Sequence, residues 1–258
     1  MWFKLTSYLK FLTTSTNQHG IHSPFVYHLV TQCFYTNTSV QKTIAFQKIK
    51  QSLFKNKKAI EVTDFGQGSK VFKNNVRKIA DIAKVAGITQ KRALLLIRIM
   101  EYFQIQNVLE IGTSVGLSTS ALSIGNPKAN ITTLEGCKNT ANTAEQLFQK
   151  FNLQNIVLIT GNFNSTLPKI IKNNVYDMIY FDGNHQKEAT INYFKICLKS
   201  IHNNSVFIFD DINWSQEMQQ AWQEIIKHPQ VTVTINTFYW GFVFFRKEQK
   251  KQHFTIRV

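Results

Sequence analysis

The spacing of apolar and polar positions changes character near residue 104. Beyond it, residues 108–111, 131–134, 156–160, 176–181 and 205–209 are short apolar runs of strand length. Such near-continuous runs are what a strand buried on both faces requires. Helical spacing follows each of them, over about 118–124, 139–151, a stretch before 173, 187–200 and 216–227. Two β-rich runs, 231–236 and 238–245, close the series with only Thr237 between them. This alternation predicts an α/β fold with a doubly wound, mostly parallel sheet of seven strands whose last strand is antiparallel.

Before residue 104 the pattern is helical. Pro24 is a good first-turn residue for a helix over 25–34. Val40, Ile44, Phe46, Ile49, Leu53 and Phe54 form an apolar face at helical spacing, with Lys42, Lys48, Lys50 and Lys55 on the other side. Two more helices, 70–85 and 89–103, are separated by Gly87. The expected organisation is therefore a helical N-terminal cap or lid, residues 1–104, ahead of a sheet domain, residues 105–258. Within the cap, VTDFGQGS at 62–69 imitates a strand ending in a glycine loop. The apolar strand before it is weak and no acid ends a second strand about twenty residues on, so it reads as a loop.

Composition narrows the class. Hydrophobic content of 43% with 21 Phe is globular, and no apolar run reaches membrane-spanning length; the best candidate, 93–100, is broken by Arg98. The opening MWFKLTSYLKFL has no long apolar core or small-residue cleavage site and reads as an amphipathic helix. Cys33, Cys137 and Cys197 are odd in number and far apart, which points to reduced thiols in the cytoplasm and away from a disulfide framework or zinc cluster. The net charge of +15 is concentrated early, with 16 Lys+Arg against 3 Asp+Glu in residues 1–100 and 14 against 12 thereafter. A lysine-rich solvated surface accounts for it. A nucleic acid or anionic membrane surface is the other reading, and no RNA-binding signature accompanies the charge.

The first apolar run ends at Gly112, where the backbone can turn and a ligand approach closely. Thr113 lies in the same turn, and Gly116 and Ser118 open the helix that follows, turning amide N–H groups and the helix's positive end toward whatever sits above the strand. A dinucleotide loop, GxGxxG, would need glycine at Ser114. Glu110, Gly112, Gly116 and Ser118 spell ExGxxxGxS, which resembles motif I of the class I S-adenosylmethionine (SAM)-dependent methyltransferases. The strand-helix alternation from residue 107 onward also resembles that family and implies a Rossmann-like fold. The segment HGIHSPFVY, 19–27, joined to the DFGQGS loop, resembles the leader of a poorly characterised bacterial group within it.

In a doubly wound sheet, ligands sit at the carboxyl ends of strands. Glu135, 23 positions past Gly112, ends the second strand and can accept both hydroxyls of a ribose, which suits SAM or NAD. After the third strand comes Gly161-Asn162-Phe163. The family resemblance implies an adenine contact from the second place, usually acidic, so Asn162 would accept through its amide oxygen and Phe163 would pack on the ring. Asp182-Gly183-Asn184-His185 follows the fourth strand and Asp210-Asp211 the fifth. Three carboxylates after neighbouring strands repel unless a cation is shared, and Mg²⁺ would relieve them. The pattern resembles metal-dependent O-methyltransferases of the catechol and macrocin type, which gives Asp182, Asp210 and Asp211 the metal-ligand roles, Asp182 a cofactor-binding and a catalytic part as well, and His185 that of general base.

The expectation is thus a cytoplasmic SAM-dependent methyltransferase acting on the oxygen of a small-molecule acceptor, with Mg²⁺ assistance and a homodimer left open. Nucleic acid is not favoured as substrate, because no NPPY-type motif for base amines is present. A non-catalytic Rossmann-like module binding NAD is the remaining alternative. FYWG at 238–241 would contribute pocket wall.

Overall fold

A computed structural model of the chain describes residues 2–63, 65, 72 and 74–258. In chain order the elements are α1 (Trp2–Thr14), α2 (Pro24–Leu29), α3 (Val40–Phe54), β1 (Ala59–Glu61), β2 (Val76–Lys78), α4 (Ile79–Val85), α5 (Gln90–Tyr102), β3 (Asn107–Ile111), α6 (Leu117–Gly125), β4 (Asn130–Glu135), α7 (Lys138–Lys150), β5 (Ile156–Thr160), α8 (Phe163–Ile171), β6 (Met178–Phe181), α9 (Lys187–Cys197), β7 (Val206–Phe209), α10 (Gln216–Lys227), β8 (Val233–Asn236), β9 (Gly241–Phe244) and β10 (Gln252–Thr255). The strands are mostly parallel and alternate with helices, a Rossmann-like α/β fold.

The chain divides into two compact units, Thr36–Thr166 and Met1–Tyr35 with Leu167–Val258. In the first, β3, β4 and β5 are parallel neighbours in that order, Ile111 opposite Leu134 and Glu135 opposite Thr160. Helix α6 is buried along its whole length and packs on α3 and α5. The expected boundary at residue 104 therefore lies inside this unit, because the apolar faces of α3 and α5 have α6 as their partner. Ser39 and Thr89 cap α3 and α5 by accepting from the Lys42 and Arg92 amides.

Residues 76–78, expected as helix, pair instead as β2 with β1. Val76 and Arg77 alternate outward and inward there, and the helix starts only at Ile79. The glycine-rich turn anticipated at 62–69 lies outside the described residues except for Val62, Thr63 and Phe65.

In the second unit β6 and β7 are parallel, β9 runs antiparallel between β7 and β8, and β10 is parallel to β8. The sequence reading ended its strands at residue 245; β10 escaped it because QHFT is polar and half-exposed. The antiparallel member is β9, and the last strand in the chain is parallel. The β8–β9 connection is longer than the single Thr237 anticipated: Thr237 N–H donates to Trp240 O at 2.8 Å and Phe238 takes φ 74°. Phe238 and Trp240 are core residues, Trp240 meeting Tyr180 and Phe242 edge-on, so of these aromatics only Tyr239 is exposed. All three cysteines are free and buried. Among the described residues no helix is long and apolar enough to cross a membrane.

Candidate functional site

The glycine turn is built from backbone bonds. The Gly112 and Thr113 amides both donate to Leu134 O at 3.0 Å, which ties the end of β3 to the end of β4. Gly112 and Gly116 have φ of 110° and 88°, and a Cβ on Gly116 would lie 2.7 Å from the Phe148 ring. Glycine is required there for both reasons. Ser114 takes φ 50°, a left-handed conformation uncommon for a residue other than glycine. Its amide then points at Glu135, donating to Oε2 at 2.7 Å, while the Cys137 amide donates to Oε1 at 2.9 Å.

Glu135 is thus the hinge-pin of this end of the unit. The Gly136 amide and the Thr140 hydroxyl also bear on the carboxylate, each of whose oxygens has two lone-pair positions. Burial pushes its carboxyl above the ordinary range, and the Cys137 and Ser114 amides oppose that rise. The Gly161 amide donates to Glu135 O at 2.8 Å, so the turn after β5 joins the same edge. Phe65 lies against Gly136, where an added Cβ would come within 2.8 Å of its ring.

Other residues that the motif placed at the cofactor have structural duties. Glu110 is 0% exposed; its Oε2 accepts from the Thr119 hydroxyl and, at 2.6 Å, from the Thr133 hydroxyl. The Thr113 and Thr133 hydroxyls are 2.6 Å apart. Since the Thr133 proton goes to Glu110, the Thr113 proton goes to Thr133. Burial drives the Glu110 carboxyl upward, against the hydroxyls of Ser118, Thr119 and Thr133. Glu110, Thr113 and Ser118 are all buried. Asn162 uses its side-chain oxygen to accept from the Asn164 amide at 2.9 Å, and its carbonyl accepts from Ser165 and Thr166. It is the cap of α8. Phe163 is half-buried at the first position of α8.

In the other unit, Phe181 of β6 pairs with Phe209 of β7, and the Asp210 amide donates to Phe181 O at 2.9 Å. Asp182 and Asp210 therefore leave adjacent strand ends. Asp211 takes φ 53° and turns the chain, its carbonyl accepting from Trp214 N–H at 2.9 Å. Ser215, and neither aspartate, caps α10. His185 Nε2 stands 3.9 Å from Asp182 Oδ1, an ion-pair distance beyond hydrogen bonding, and its ring lies 6.3 Å from that of Trp214. Among the described residues no three His, Cys, Asp or Glu side chains are grouped to hold a metal ion; Asp182, Asp210 and Asp211 thus do not fit a ready-made Mg²⁺ site.

Sequence reasoning missed Ser114, Thr119 and Thr133. Ser114 carried one signal, its place between two loop glycines. The two threonines gave none, because hydroxyls facing a buried acid look like ordinary helix and strand residues.

Residues 109–212 match a family model described as a methyltransferase domain. No curated protein matches the chain in sequence. Among solved structures, an SAH-bound methyltransferase from Podospora anserina is similar with a TM-score of 0.61 at 15% identity, covering 88% of this chain and 97% of its own. An O-methyltransferase from Bacillus cereus in complex with SAH has a TM-score of 0.56 at 20% identity, with 80% and 90% covered. An O-methyltransferase from Streptomyces achromogenes involved in tomaymycin synthesis, in complex with SAM, has a TM-score of 0.55 at 17% identity, with 63% and 82% covered. Over residues 109–212 the chain is similar in sequence to a methyltransferase domain, and over most of its length it has the fold of these methyltransferases.

Proposed function

We propose that the chain is a SAM-dependent methyltransferase that methylates a hydroxyl oxygen of a small-molecule acceptor. The observation that carries this reading is the Glu135 carboxylate, fixed at the carboxyl end of β4 by the Ser114 and Cys137 amides. SAM, when bound, supplies a methyl group on a positively charged sulfur that leaves as a neutral thioether. Glu135 accepts the ribose hydroxyls, and the Gly112–Gly116 backbone allows close approach.

On the acceptor side the hydroxyl must lose a proton as its oxygen forms the new bond to carbon and the carbon–sulfur bond breaks. His185 takes that proton at Nε2, and Asp182 gives the resulting cationic ring an anionic neighbour at 3.9 Å. The enzyme works in the cytoplasm in this reading.

The test is incubation with methyl-labelled SAM and a panel of small phenols, sugars and aliphatic alcohols. Label on acceptor oxygen, with SAH released in equal amount, is the expected result. Failure of the protein to bind SAM, or label recovered only on nitrogen or on added RNA, would defeat the proposal.

A further inference from the structure

Helix α1 carries apolar residues on two opposite faces. One face is the docked one: Ser7 and Phe11 are buried, and the Tyr8 and Phe11 rings meet Phe238 at 4.9 and 5.5 Å. At helical spacing, the opposite face consists of Trp2, Leu5, Leu9 and Leu12, exposed by 79%, 52%, 55% and 39%. These four side chains form a stripe one helix long, contiguous where singly scattered exposed leucines would be ordinary.

The charge around the stripe indicates what covers it. Lys4 and Lys10 are the only charged side chains of α1, and both are exposed on its flanks. Lys4 Nζ lies 5.6 Å from the centre of the Tyr239 ring, itself exposed. Where the chain leaves α1, Thr16 bridges to Ile256 and its carbonyl accepts from the amide of Arg257, whose side chain is exposed. No Asp or Glu precedes Glu61, and the whole chain carries +15. A second copy laid on this stripe would bring two strongly cationic molecules together. An anionic bilayer instead offers an apolar layer for the leucines, an interface for Trp2 and the tyrosines, and phosphates for the lysines. A bare nucleic acid satisfies the charge and leaves the leucines wet.

We propose that the Trp2–Leu5–Leu9–Leu12 face of α1 docks the protein on anionic lipid surfaces, lying in the headgroup plane. A 13-residue helix is about 20 Å long, short of the ~30 Å needed to span, so the attachment is peripheral. Lys4 and Lys10 have stems long enough to keep their ammonium groups at the phosphates while the apolar face is immersed.

The full-length protein is sedimented with vesicles of phosphatidylcholine containing half phosphatidylglycerol, and with pure phosphatidylcholine vesicles. Binding to the anionic vesicles at least tenfold tighter than to the neutral ones, weakened by raised salt, is expected. The Leu5→Ser/Leu9→Ser variant is expected to lose at least tenfold in vesicle binding while its melting temperature and SAM affinity stay at wild-type values, since neither leucine is buried. Lys10→Glu should weaken binding to anionic vesicles alone. The proposal is overturned if anionic vesicles do not retain the wild type, if the double variant binds them equally well, or if ultracentrifugation shows a wild-type dimer that the double variant converts to monomer.

Discussion

The two strand-end clusters are held in opposite ways. At the carboxyl ends of β3, β4 and β5, backbone amides do the positioning: Gly112 and Thr113 on Leu134 O, Ser114 and Cys137 on Glu135, Gly161 on Glu135 O. A buried acid, Glu110, organises the hydroxyls of the same turn. At the ends of β6 and β7 the chemistry rests on side chains, with His185 at ion-pair distance from Asp182 and partly open to solvent. Under the proposed function the first arrangement holds the donor and the second supplies the base that takes the proton, a division that suits an enzyme whose donor is constant and whose acceptor is particular.

The largest effect that would sharpen the contrast is on the side-chain cluster. His185→Ala should lower turnover by roughly 10²–10⁴-fold, the usual contribution of a positioned base, with SAM affinity unchanged by calorimetry. A loss of SAM affinity instead would erase the distinction. Next comes the backbone-built cluster. Gly116→Val adds a left-handed strain of about 1–3 kcal/mol to a clash with Phe148; thermal unfolding should shift down by an amount equivalent to about 3 kcal/mol or more, and SAM binding should be lost.

Glu110→Ala leaves the Thr119 and Thr133 hydroxyls without their acceptor and should cost about 2–3 kcal/mol in denaturant titration. Glu110→Gln keeps an acceptor and removes an ionisation. Burial raises the Glu110 carboxyl in the folded state, so its contribution to stability is present below the unfolded-state value and is lost as pH rises through the folded-state value. Relative to Glu110→Gln, the wild type should therefore lose stability on going from acid to neutral pH. The smallest effect is expected at Asn162→Ala, about 1 kcal/mol for a lost helix cap, with SAM affinity nearly unchanged. A tenfold loss of affinity there would return Asn162 to an adenine contact.

Much of this was legible in the chain itself. The buried parallel strands announced themselves because runs such as VLEI and MIYF are apolar at nearly every position, and Gly116 through its spacing from Gly112 and Ser118. Strand β10 was not legible, since an edge strand needs no apolar run. Nor was the role of Asn162, because capping and adenine recognition ask for the same amide oxygen. Glu110 shows the limit of pattern matching most plainly. Its place in ExGxxxGxS suggests a ligand contact, and only its burial among hydroxyls shows that it braces the turn.

In the proposed function Glu135, held by the Ser114 and Cys137 amides, receives the ribose of SAM. Calorimetric titration of SAM and of NAD into the wild type and Glu135→Ala tests this directly. SAM is expected to bind and NAD is not, and Glu135→Ala is expected to weaken SAM by roughly 10–100-fold, the loss of hydrogen bonds to a charged acceptor. Because burial raises the Glu135 carboxyl, wild-type affinity should fall on acidification from a higher pH than an exposed glutamate would give. Equal SAM affinity in the wild type and a folded Glu135→Ala variant, or preferential binding of NAD, would contradict it.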